Sequence, residues 1–366
     1  MADIISHEMS STERRKRTTL ADVARASQVS PAAASLAIRV EPGVSDETRV
    51  RVMEAARRLG YRGVKRPADR RERRVTLGLI IKARMGDAPQ ANGFYAPVMA
   101  GVEEVCRARG VDLLFAAMPV DERYSPLEVP RLVTERSCDG LIVIGARFSH
   151  STALLLEDGP PAFLVDAYAE DAVFDSVRSD SVAGARTAAD HLIDLGHRDI
   201  ALVGTQPDSF PSILDRRRGY QSAIAEAELR PHIVDGPYLD PEAAAAAALR
   251  YLEAHPEVTA AVCANDDVAM VLSRAAQNAG IDVPGRLSIV GYDDIDSARF
   301  VTPPLTTLAV DKLGMGRLAV ALLLHRLEFQ DAAAVQVLIQ PRLVERGSVR
   351  AVGSPMIEER ETSPSV

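Results

Sequence analysis

Polar residues follow several apolar runs of this 366-residue sequence. Asp166 follows FLV, Asn265 follows AVCA and Asp293 follows SIVGY. Arg216 lies near the start of a predicted helix and adds a cation. Carboxylate and amide oxygens accept hydrogen bonds from sugar hydroxyls, and a guanidinium donates to ring and hydroxyl oxygens. If these four residues converge on one cleft, they form a site for a small polyhydroxylated molecule.

Helix capping is an alternative role for an Asp or Asn that follows a strand. Capping alone is sufficient to explain Asp266 and Asp294, so for these two residues both interpretations stay open. Capping explains the other four residues less well: Asp166, Arg216, Asn265 and Asp293.

No arrangement of side chains in the sequence indicates catalysis. No GxGxxG motif opens a helix after a strand, and there is no Walker loop or GxSxG motif. The adjacent Asp293 and Asp294 side chains are expected to diverge instead of flanking one bond. No Cys or His cluster has metal-ligand spacing, and His191 and His197 suit surface or capping roles. We predict a protein that is not an enzyme, with no cofactor, no metal and no catalytic residues.

Strand-like apolar runs alternate with amphipathic helical stretches from Val75 onward. Continuous Val, Ile and Leu runs separated by helices are typical of parallel strands buried on both faces. The pattern starts again after Asp180, which predicts two α/β lobes with a cleft between them. Ligands bind at the carboxyl ends of such strands, where the polar residues lie. Helices are predicted at about 94–109, 126–136, 151–157, 181–195, 213–228, 241–254 and 266–279.

The sequence pattern of residues 18–61 predicts three short helices. Thr19 and Ser30 are suitable N-caps for the first two, and Ser45 for the third. Pro31 suits a first helical position, because proline lacks only an N–H that has no partner there. Two short helices joined by a tight turn and supported by a third form a helix-turn-helix, which reads duplex DNA. Any small three-helix bundle gives the same pattern. The distribution of charged residues therefore decides between a DNA-binding helix-turn-helix and a bundle without that function.

The charge is distributed unevenly. Residues 1–74 contain 17 Lys and Arg against 10 Asp and Glu, whereas residues 75–366 contain 26 against 41. A basic head on an acidic body indicates that only the head meets a polyanion. Charge runs are often merely solvated, but these flank the three helices on both sides, which favours phosphate contacts. The flanking cations are Arg14, Arg15, Lys16 and Arg17 on one side and Arg62, Lys65, Arg66, Arg70, Arg71, Arg73 and Arg74 on the other.

Length and composition predict a globular protein of more than one domain. The N-terminus lacks the apolar centre of a signal peptide, and no apolar run is long enough to span a bilayer. Cys106, Cys138 and Cys263 are odd in number and widely spaced, which suits reduced thiols. We therefore expect a cytoplasmic location.

Several motifs occur in order between about Thr18 and Arg346. They are TLADVARASQVS, PGVSDETRVRVMEAARRLGY, SDSVAGARTAADHLIDLGHRDIALVG, CANDDVAM and SIVGYDDIDSARFVTPPLTTL. Together they resemble the LacI/GalR family of bacterial transcription regulators. The resemblance implies a nucleoid-associated homodimer on a pseudo-palindromic operator, and a periplasmic-binding-protein-like core. It also implies an effector, commonly a sugar or its phosphate, that shifts the affinity for DNA.

The resulting prediction is an all-α helix-turn-helix head followed by an α/β core of two parallel-sheet lobes. The dimer contact is expected in the core, at helices near 94–109 or 314–328, and the chain end lacks the leucine heptads of a coiled coil. The predicted segments are a flexible basic N-terminus (1–17), a DNA-binding domain (18–61), a hinge linker (62–74), the core (75–346, with lobe 1 about 75–174 plus 306–333 and lobe 2 about 175–305 plus 334–346) and a flexible tail (347–366).

The resemblance also implies which residues contact the effector. The family's contact positions fall on Asp166, Ser212, Arg216, Asn265 and Asp293, with Phe94 or Tyr95 near the ligand ring. An aromatic face suits the C–H edge of a sugar, although packing on the helix face is the competing role for Phe94.

The recognition helix departs from the family pattern. Its base-reading positions hold Pro31, Ala32, Ala33 and Leu36. None of these side chains makes the bidentate hydrogen bonds that discriminate guanine or adenine. We expect an operator that is read partly through thymine methyls and DNA shape.

Other residues complete the predicted DNA-binding surface. Ser30, Ser35 and Arg39 are expected to reach phosphates or a base edge, and Thr19 and Leu20 begin the first helix. Gln28 stands where the family commonly has a turn glycine, so the turn must tolerate a left-handed or altered backbone there.

Three hypotheses account for the chain. A ligand-responsive transcriptional repressor explains head, linker and core together, and it is our prediction. A sugar-binding solute receptor explains the core alone and would need an export signal. A sugar-active enzyme with a fused DNA-binding head would reveal itself by turnover of a sugar. The effector, the operator sequence and the sign of the effector's action are left open.

The linker sequence GVKRPADRRERR predicts an unusual operator centre. Pro67 falls inside the family's hinge helix, and Arg71 stands where we place the leucine that wedges into the minor groove. We expect Arg71 to enter a narrow minor groove instead, because narrow A·T-rich grooves attract arginine. Selection of binding sites from random DNA should therefore return an A·T-rich centre, and a G·C-rich centre would contradict this hypothesis.

Overall fold

The computed structural model describes residues 18–38, 43–59, 61, 74–84 and 92–353, apart from the side chains of Asp46 and Arg57. The chain forms two compact units, residues 1–73 and 74–366. Arg39 and Arg71, the N-terminal segment 1–17 and the linker before residue 74 lie outside the described residues. The predictions made for them stay predictions.

Three helices form the head: α1 (Leu20–Ala26), α2 (Pro31–Ile38) and α3 (Asp46–Arg58). The predicted caps are confirmed, since Thr19 Oγ1, Ser30 Oγ and Ser45 Oγ each accept a backbone N–H three residues ahead. Gln28 in the turn has the left-handed φ of 55° that its position required. A small apolar core joins the helices, built from Val23, Ala24, Ala34, Ala37, Val52, Ala55 and Ala56.

The second unit contains two six-stranded sheets. The first has the order β13-β7-β5-β3-β1-β2 and is parallel throughout. Its strands are β1 (Thr76–Ala83), β2 (Asp112–Pro119), β3 (Gly140–Ile144), β5 (Ala162–Val165), β7 (Asp175–Ser179) and β13 (Gln336–Ile339). A separate two-stranded sheet pairs β4 (Arg147–Phe148) with β6 (Tyr168–Ala169).

The second sheet has the order β14-β12-β11-β10-β8-β9, in which only the edge strand β14 is antiparallel to its neighbour. Its strands are β8 (Ile200–Thr205), β9 (His232–Asp235), β10 (Ala260–Cys263), β11 (Ser288–Asp293), β12 (Thr306–Ala309) and β14 (Arg342–Val344). The predicted pair of parallel-sheet lobes is confirmed.

Helices cover both sheets, as buried parallel strands require. They are α4 (Tyr95–Arg109), α5 (Arg131–Thr134), α6 (His150–Glu157), α7 (Ser181–Asp194), α8 (Pro211–Glu226), α9 (Pro241–Ala254), α10 (Asp266–Asn278) and α11 (Lys312–Glu328), with a 3₁₀ turn at Asp296–Arg299. The helix predicted at 126–136 is only the single turn α5, because Pro126 and Pro130 keep the preceding residues extended. No helix of the described ranges is long and apolar enough to cross a membrane.

The predicted lobe boundaries were wrong at three strands. β7 pairs with β5 in the first sheet, β12 pairs with β11 in the second, and β13 pairs with β7 in the first. The chain therefore crosses between lobes after 179, after 309 and after 339. Periodicity marks where a strand lies along the chain, but the edge at which it pairs is decided by tertiary contacts.

The predicted flexible tail began too early. Ser348 is fully buried, where its hydroxyl donates to the Ile289 carbonyl at 2.6 Å and accepts from the Thr306 amide at 2.8 Å. The Val352 amide donates to the Leu195 carbonyl at 2.9 Å. Residues 347–353 are thus part of the second lobe.

Each lobe brings two helices into close contact at a glycine. A Cβ on Gly316 of α11 would lie 2.0 Å from the Val98 carbonyl oxygen of α4, and one on Gly219 of α8 would lie 2.1 Å from the Val182 carbonyl oxygen of α7. Only glycine permits these approaches. The α7–α8 contact matters for the site, because α8 carries Arg216.

Candidate functional site

A cavity of about 450 Å³ lies between the two lobes, at the carboxyl ends of their parallel strands. Sheets of this type bind ligands at that edge. All seven residues predicted to contact an effector line the cavity: Phe94, Tyr95, Asp166, Ser212, Arg216, Asn265 and Asp293. Their convergence is observed, whereas their contact with an effector stays a prediction.

Arg216 and Asp293 form a buried ion pair in the cavity wall. Arg216 Nη2 lies 2.9 Å from Asp293 Oδ1, and Nη1 donates to the Ala264 carbonyl oxygen at the end of β10. The guanidinium carbon lies 3.7 Å from the centre of the Tyr292 ring. Burial raises the pKa of Asp293 to about 6, although Arg216 and Lys312 oppose the rise. The pair holds α8 against the ends of β10 and β11.

Asp166 supplies a second carboxylate on the side of the first lobe. Tyr95 Oη donates to Asp166 Oδ2 at 2.9 Å, and both side chains are buried. Burial raises the pKa of Asp166, while the charges of Lys82, Arg216 and Arg178 act in the opposite direction. Asp166 has a left-handed φ of 43°, which turns the chain at the strand end and places the carboxylate in the cavity.

Asn265 and Asp266 stand at the start of α10, where helix capping is the alternative role. Asn265 does cap a helix, since its Oδ1 accepts from the Val268 amide at 2.9 Å, while Nδ2 donates to the Tyr238 carbonyl at 3.4 Å. Asp266 is fully buried inside the first turn of α10 and caps nothing. Its carboxylate accepts from Thr307 Oγ1 at 2.5 Å and from the Ile295 amide at 2.9 Å.

Asp294 is a structural residue. Arg346 Nη2 donates to Asp294 Oδ1 at 2.6 Å, which ties β11 to the segment after β14. Asp294 does not line the cavity. The capping alternative is not supported, because the N-cap position of the 3₁₀ turn that follows is Ile295 and no side chain caps that turn.

Other cavity residues were missed from the sequence. Lys82 ends an apolar strand as Asp166 and Asp293 do, so the same rule would have found it. Tyr124, Phe210 and Tyr238 lie in loops, where no periodicity marks them. The remaining lining residues are Arg84, Asn92, Gly93, Ile213, Leu239, Pro241, Asp266, Asp267 and Ile295.

Apart from Arg39 and Arg71, the predicted DNA-reading residues lie at the start of α1 and along α2. Thr19, Ser30, Pro31 and Ala32 are exposed, and Leu20, Ala33, Ser35 and Leu36 are half-buried. The hydroxyls of Thr19 and Ser30 already accept backbone N–H groups in their caps. Apart from Arg39, which lies outside the described residues, the start of α2 offers mainly methyl and methylene surface to a partner.

Within the described residues, His232, His255 and Glu257 have ligand atoms within 4.8 Å of one another. His232 is buried, and its ring nitrogens lie 3.0 Å from Tyr251 Oη and 3.1 Å from Asp199 Oδ1. His255 Nδ1 lies 3.1 Å from Glu257 Oε1. These hydrogen bonds account for the cluster as a structural network at the opposite ends of the strands from the cavity.

Comparisons with known proteins agree with this division of the chain. The model "Bacterial regulatory proteins, lacI family" matches residues 19–63, and the "Periplasmic binding protein-like domain" matches residues 189–349. The ribose operon repressor of Haemophilus influenzae is 32% identical over 336 residues, covering 90% of this chain and 98% of the repressor.

Solved structures share the fold over most of the chain. The complex of the transcriptional regulator CelR with cellobiose has a TM-score of 0.64 at 25% identity, covering 91% of this chain and 100% of that one. The Lac repressor dimer bound to operator and the anti-inducer ONPF has a TM-score of 0.68 at 24% identity, covering 92% and 100%. The second likeness shows the fold alone.

The buried Asp266 should make stability depend on pH. Burial raises its pKa to about 8, so folding favours the protonated carboxyl. The stabilisation is complete below the pKa of the unfolded chain (about 3.9) and is lost as pH rises towards 8. Asp266→Asn does not titrate: its amide oxygen keeps the hydrogen bond from the Ile295 amide, and its NH₂ group reverses the hydrogen bond with Thr307 Oγ1 by donating to it. The free energy of unfolding, measured with denaturant from pH 5 to pH 8, should therefore fall less in the variant than in the wild type.

Asp296→Asn is the matched control, because the Asp296 side chain is 92% exposed. Its profile should follow that of the wild type. Identical profiles for Asp266→Asn and the wild type would show that Asp266 does not titrate in this range.

Proposed function

Because this chain belongs to the LacI family of bacterial regulatory proteins, we propose that it is a sequence-specific DNA-binding transcriptional repressor. Its affinity for an operator is controlled by a sugar or sugar derivative bound between the lobes of the core. One observation carries the proposal: seven residues from distant parts of the chain line one cavity, in a protein that also has a helix-turn-helix head.

The chemistry of the cavity suits a polyhydroxylated ligand. Asp166 and Asp293 offer carboxylate oxygens and Ser212 a hydroxyl, while Tyr124 and Phe210 provide apolar ring surface. Relatives that act on ribose genes or bind cellobiose support a sugar as the class of effector. We propose a role in binding and not in turnover, because the ribose operon repressor that this chain resembles is a regulatory protein.

We propose that ligand binding reaches the rest of the core through Lys312. This residue begins α11, immediately after the chain crosses between lobes, and its Nζ donates to the carbonyl oxygens of Asp293 and Asp294. A ligand that engages Asp293 therefore acts on the peptide groups that hold the start of α11. A coupling of ~1–3 kcal/mol would change operator affinity roughly 5- to 150-fold.

The protein acts as a homodimer in this proposal, and the core supplies the contact. β2 is an edge strand with Leu114 and Phe115 exposed by 38% and 47%, and Leu318 of α11 is also exposed. A dimer presents two heads to half-sites about one helical turn (~34–36 Å) apart or a multiple of it. Action on an operator places the protein with the chromosome in the cytoplasm.

A thermal-shift panel of sugars and sugar phosphates tests the effector site. A cognate ligand at 100 times its Kd should stabilise the wild type by about 2.7 kcal/mol. Arg216→Ala and Asp293→Ala should abolish the ligand-dependent shift, because each removes one half of the pair in the cavity wall. Both variants also lose baseline stability, so only the difference with and without ligand is compared.

Two further variants keep this test decisive. Asp166→Asn should weaken the shift with little loss of fold, whereas Arg218→Ala, which removes an exposed arginine on α8 paired with Asp215, should leave it unchanged. A shift that persists in all three cavity variants would place the ligand elsewhere. No shift from any sugar or sugar phosphate would contradict a sugar effector.

The dimer contact is tested by Phe115→Arg. A charge on the exposed edge strand should raise the dimer dissociation constant by about tenfold or more, because burying an unpaired cation at an interface is costly. Sedimentation velocity measures the association, and operator binding should weaken in parallel. Leu127→Arg is the control, since Leu127 is 70% exposed in a loop. A Phe115→Arg protein that stays dimeric at the same concentrations would move the contact away from β2.

A further inference from the structure

An apolar cluster joins the two lobes beside the cavity. Phe210, Ile213 and Ala264 belong to the second lobe, yet they are buried in the same cluster as Met118 and Phe148 of the first lobe. Phe210 has the largest of the three side chains from the second lobe. The lobes therefore share a piece of apolar core in addition to the chain segments that connect them.

The Phe210 ring lies between two tyrosines of the first lobe. Its centre is 5.2 Å from the centre of the Tyr124 ring and 5.2 Å from that of the Tyr168 ring, and the planes are nearly perpendicular in both pairs. Edge-to-face contacts of this kind are favourable beyond the area that they bury. We call Phe210, Tyr124 and Tyr168 the aromatic clasp.

The two tyrosines are held by contacts within the first lobe. Tyr124 has a left-handed φ of 63° and ends a tight turn, in which its amide donates to the Asp121 carbonyl at 3.0 Å. The Tyr124 carbonyl accepts from the Arg147 amide at 2.9 Å. Tyr168 lies in β6, which pairs with β4. Their positions thus depend on hydrogen bonds that the second lobe does not supply.

The second lobe presents Phe210 on an equally defined turn. The Gln206 amide donates to Ser209 Oγ at 2.9 Å, and the Ser209 amide donates to the Gln206 carbonyl at 3.1 Å. Phe210 follows as the N-cap residue of α8, and Pro211 takes the first helical position. The ring is therefore fixed to the helix that carries Arg216.

The clasp includes the side of the core that the chain crossings do not restrain. The chain crosses between lobes after β7, β12 and β13, which lie at or next to one edge of their sheets. Tyr124 follows β2 at the opposite edge of the first sheet, and Phe210 follows β8, next to the opposite edge of the second. Arg123 and Asp208 also approach across the lobes, at 3.8 Å, but both are exposed, so water screens their attraction. Apolar contacts are the stronger link on this side.

We propose that Phe210 is a positioning residue, which holds the two lobes together through the clasp and thereby fixes the shape of the cavity. When the clasp opens, Asp166 of the first lobe and Asp293 of the second move apart. A ligand that bridges the lobes binds only the clasped fraction of the molecules, so its apparent affinity falls with that fraction. The inference goes beyond the proposed function, because the clasp is made by the protein's own side chains and needs no particular effector.

Distances between spin labels on the two lobes test the clasp without any ligand. Arg131 of α5 and Glu242 of α9 are exposed, one on each lobe, and the three native cysteines are buried. Nitroxides on Arg131→Cys and Glu242→Cys, in full-length protein diluted with unlabelled chain, report the separation by pulsed electron resonance. Phe210→Ala should raise the ratio of open to clasped molecules roughly 100-fold, because a buried ring and two aromatic pairs are lost. An open form at about 1% would then reach about half of the molecules, as a second population at longer distance.

Phe163→Ala is the matched control. Phe163 is a fully buried phenylalanine of β5 inside the first lobe, so its loss should lower stability and leave the distance unchanged. Tyr168→Ala breaks the clasp from the other lobe and should lengthen the distance as Phe210→Ala does. The double variant should add less than the sum of the two, because both remove one shared contact. Phe210→Leu, which keeps an apolar side chain, should give a smaller change and serves if the alanine variant does not fold.

Tyr168 also separates positioning from direct contact, because it does not line the cavity. Any sugar or sugar phosphate of the thermal-shift panel that stabilises the wild type should bind Tyr168→Ala at least about tenfold more weakly in isothermal titration. An unchanged affinity in a protein whose distance has lengthened would refute the positioning role. A panel without any binding sugar would contradict the proposed function only, since the distance measurement still decides on the clasp.

Two outcomes of the distance measurement would overturn the inference. Identical distance distributions in the wild type, Phe210→Ala and Tyr168→Ala would show that other contacts hold the lobes. Equal lengthening in Phe163→Ala would show that any loss of stability opens the core, and that the clasp has no separate role.

Discussion

The ion pair between Arg216 and Asp293 is the interaction on which the cavity depends. Charges this deeply buried are costly to desolvate, and they are tolerated only with good geometry and complete hydrogen bonding. Arg216 meets this requirement in part, through Asp293, the Ala264 carbonyl and the Tyr292 ring, while its buried Nε has no hydrogen-bond partner among the described residues. The hydroxyl of Tyr292 lies 3.2 Å from Ser179 Oγ, at the end of the first sheet. The same group of contacts therefore binds α8 to two strands and reaches across to the other lobe.

Backbone strain accompanies the pair. Asp166, Asp293 and Asp294 all have positive φ angles, of 43°, 111° and 50°. Such conformations are unfavourable for residues other than glycine, and they persist where the surrounding structure fixes them. Here the fixing contacts are Tyr95 on Asp166, Arg216 and Lys312 on Asp293, and Arg346 on Asp294. These contacts hold the strand ends in a conformation that places the carboxylates of Asp166 and Asp293 in the cavity wall and pairs that of Asp294 with Arg346.

Much of this arrangement could be predicted from sequence, because its signals are local. Caps such as Thr19 and Ser30 depend on neighbours three residues away, and the rule that polar residues follow buried strands found Asp166 and Asp293. The lobe boundaries failed because strand pairing is decided between distant segments. The sequence left the role of Asp266 open, because periodicity gives no information about which of two adjacent side chains faces inward, and it did not show that Asn265 both caps α10 and lines the cavity. The cavity residues Tyr124, Phe210 and Tyr238 lie in loops, where periodicity gives no signal.

The segment after the last strand has a practical consequence for handling the protein. Besides the contacts of Ser348, the Arg350 carbonyl lies 3.0 Å from Nε2 of the buried His197, whose Nδ1 lies 2.8 Å from Thr259 Oγ1. A reporter or affinity tag that replaces the chain after residue 346 would remove these contacts and expose the buried side chains beneath this segment of the second lobe to water. Joined after residue 353, the same tag would leave every one of them intact.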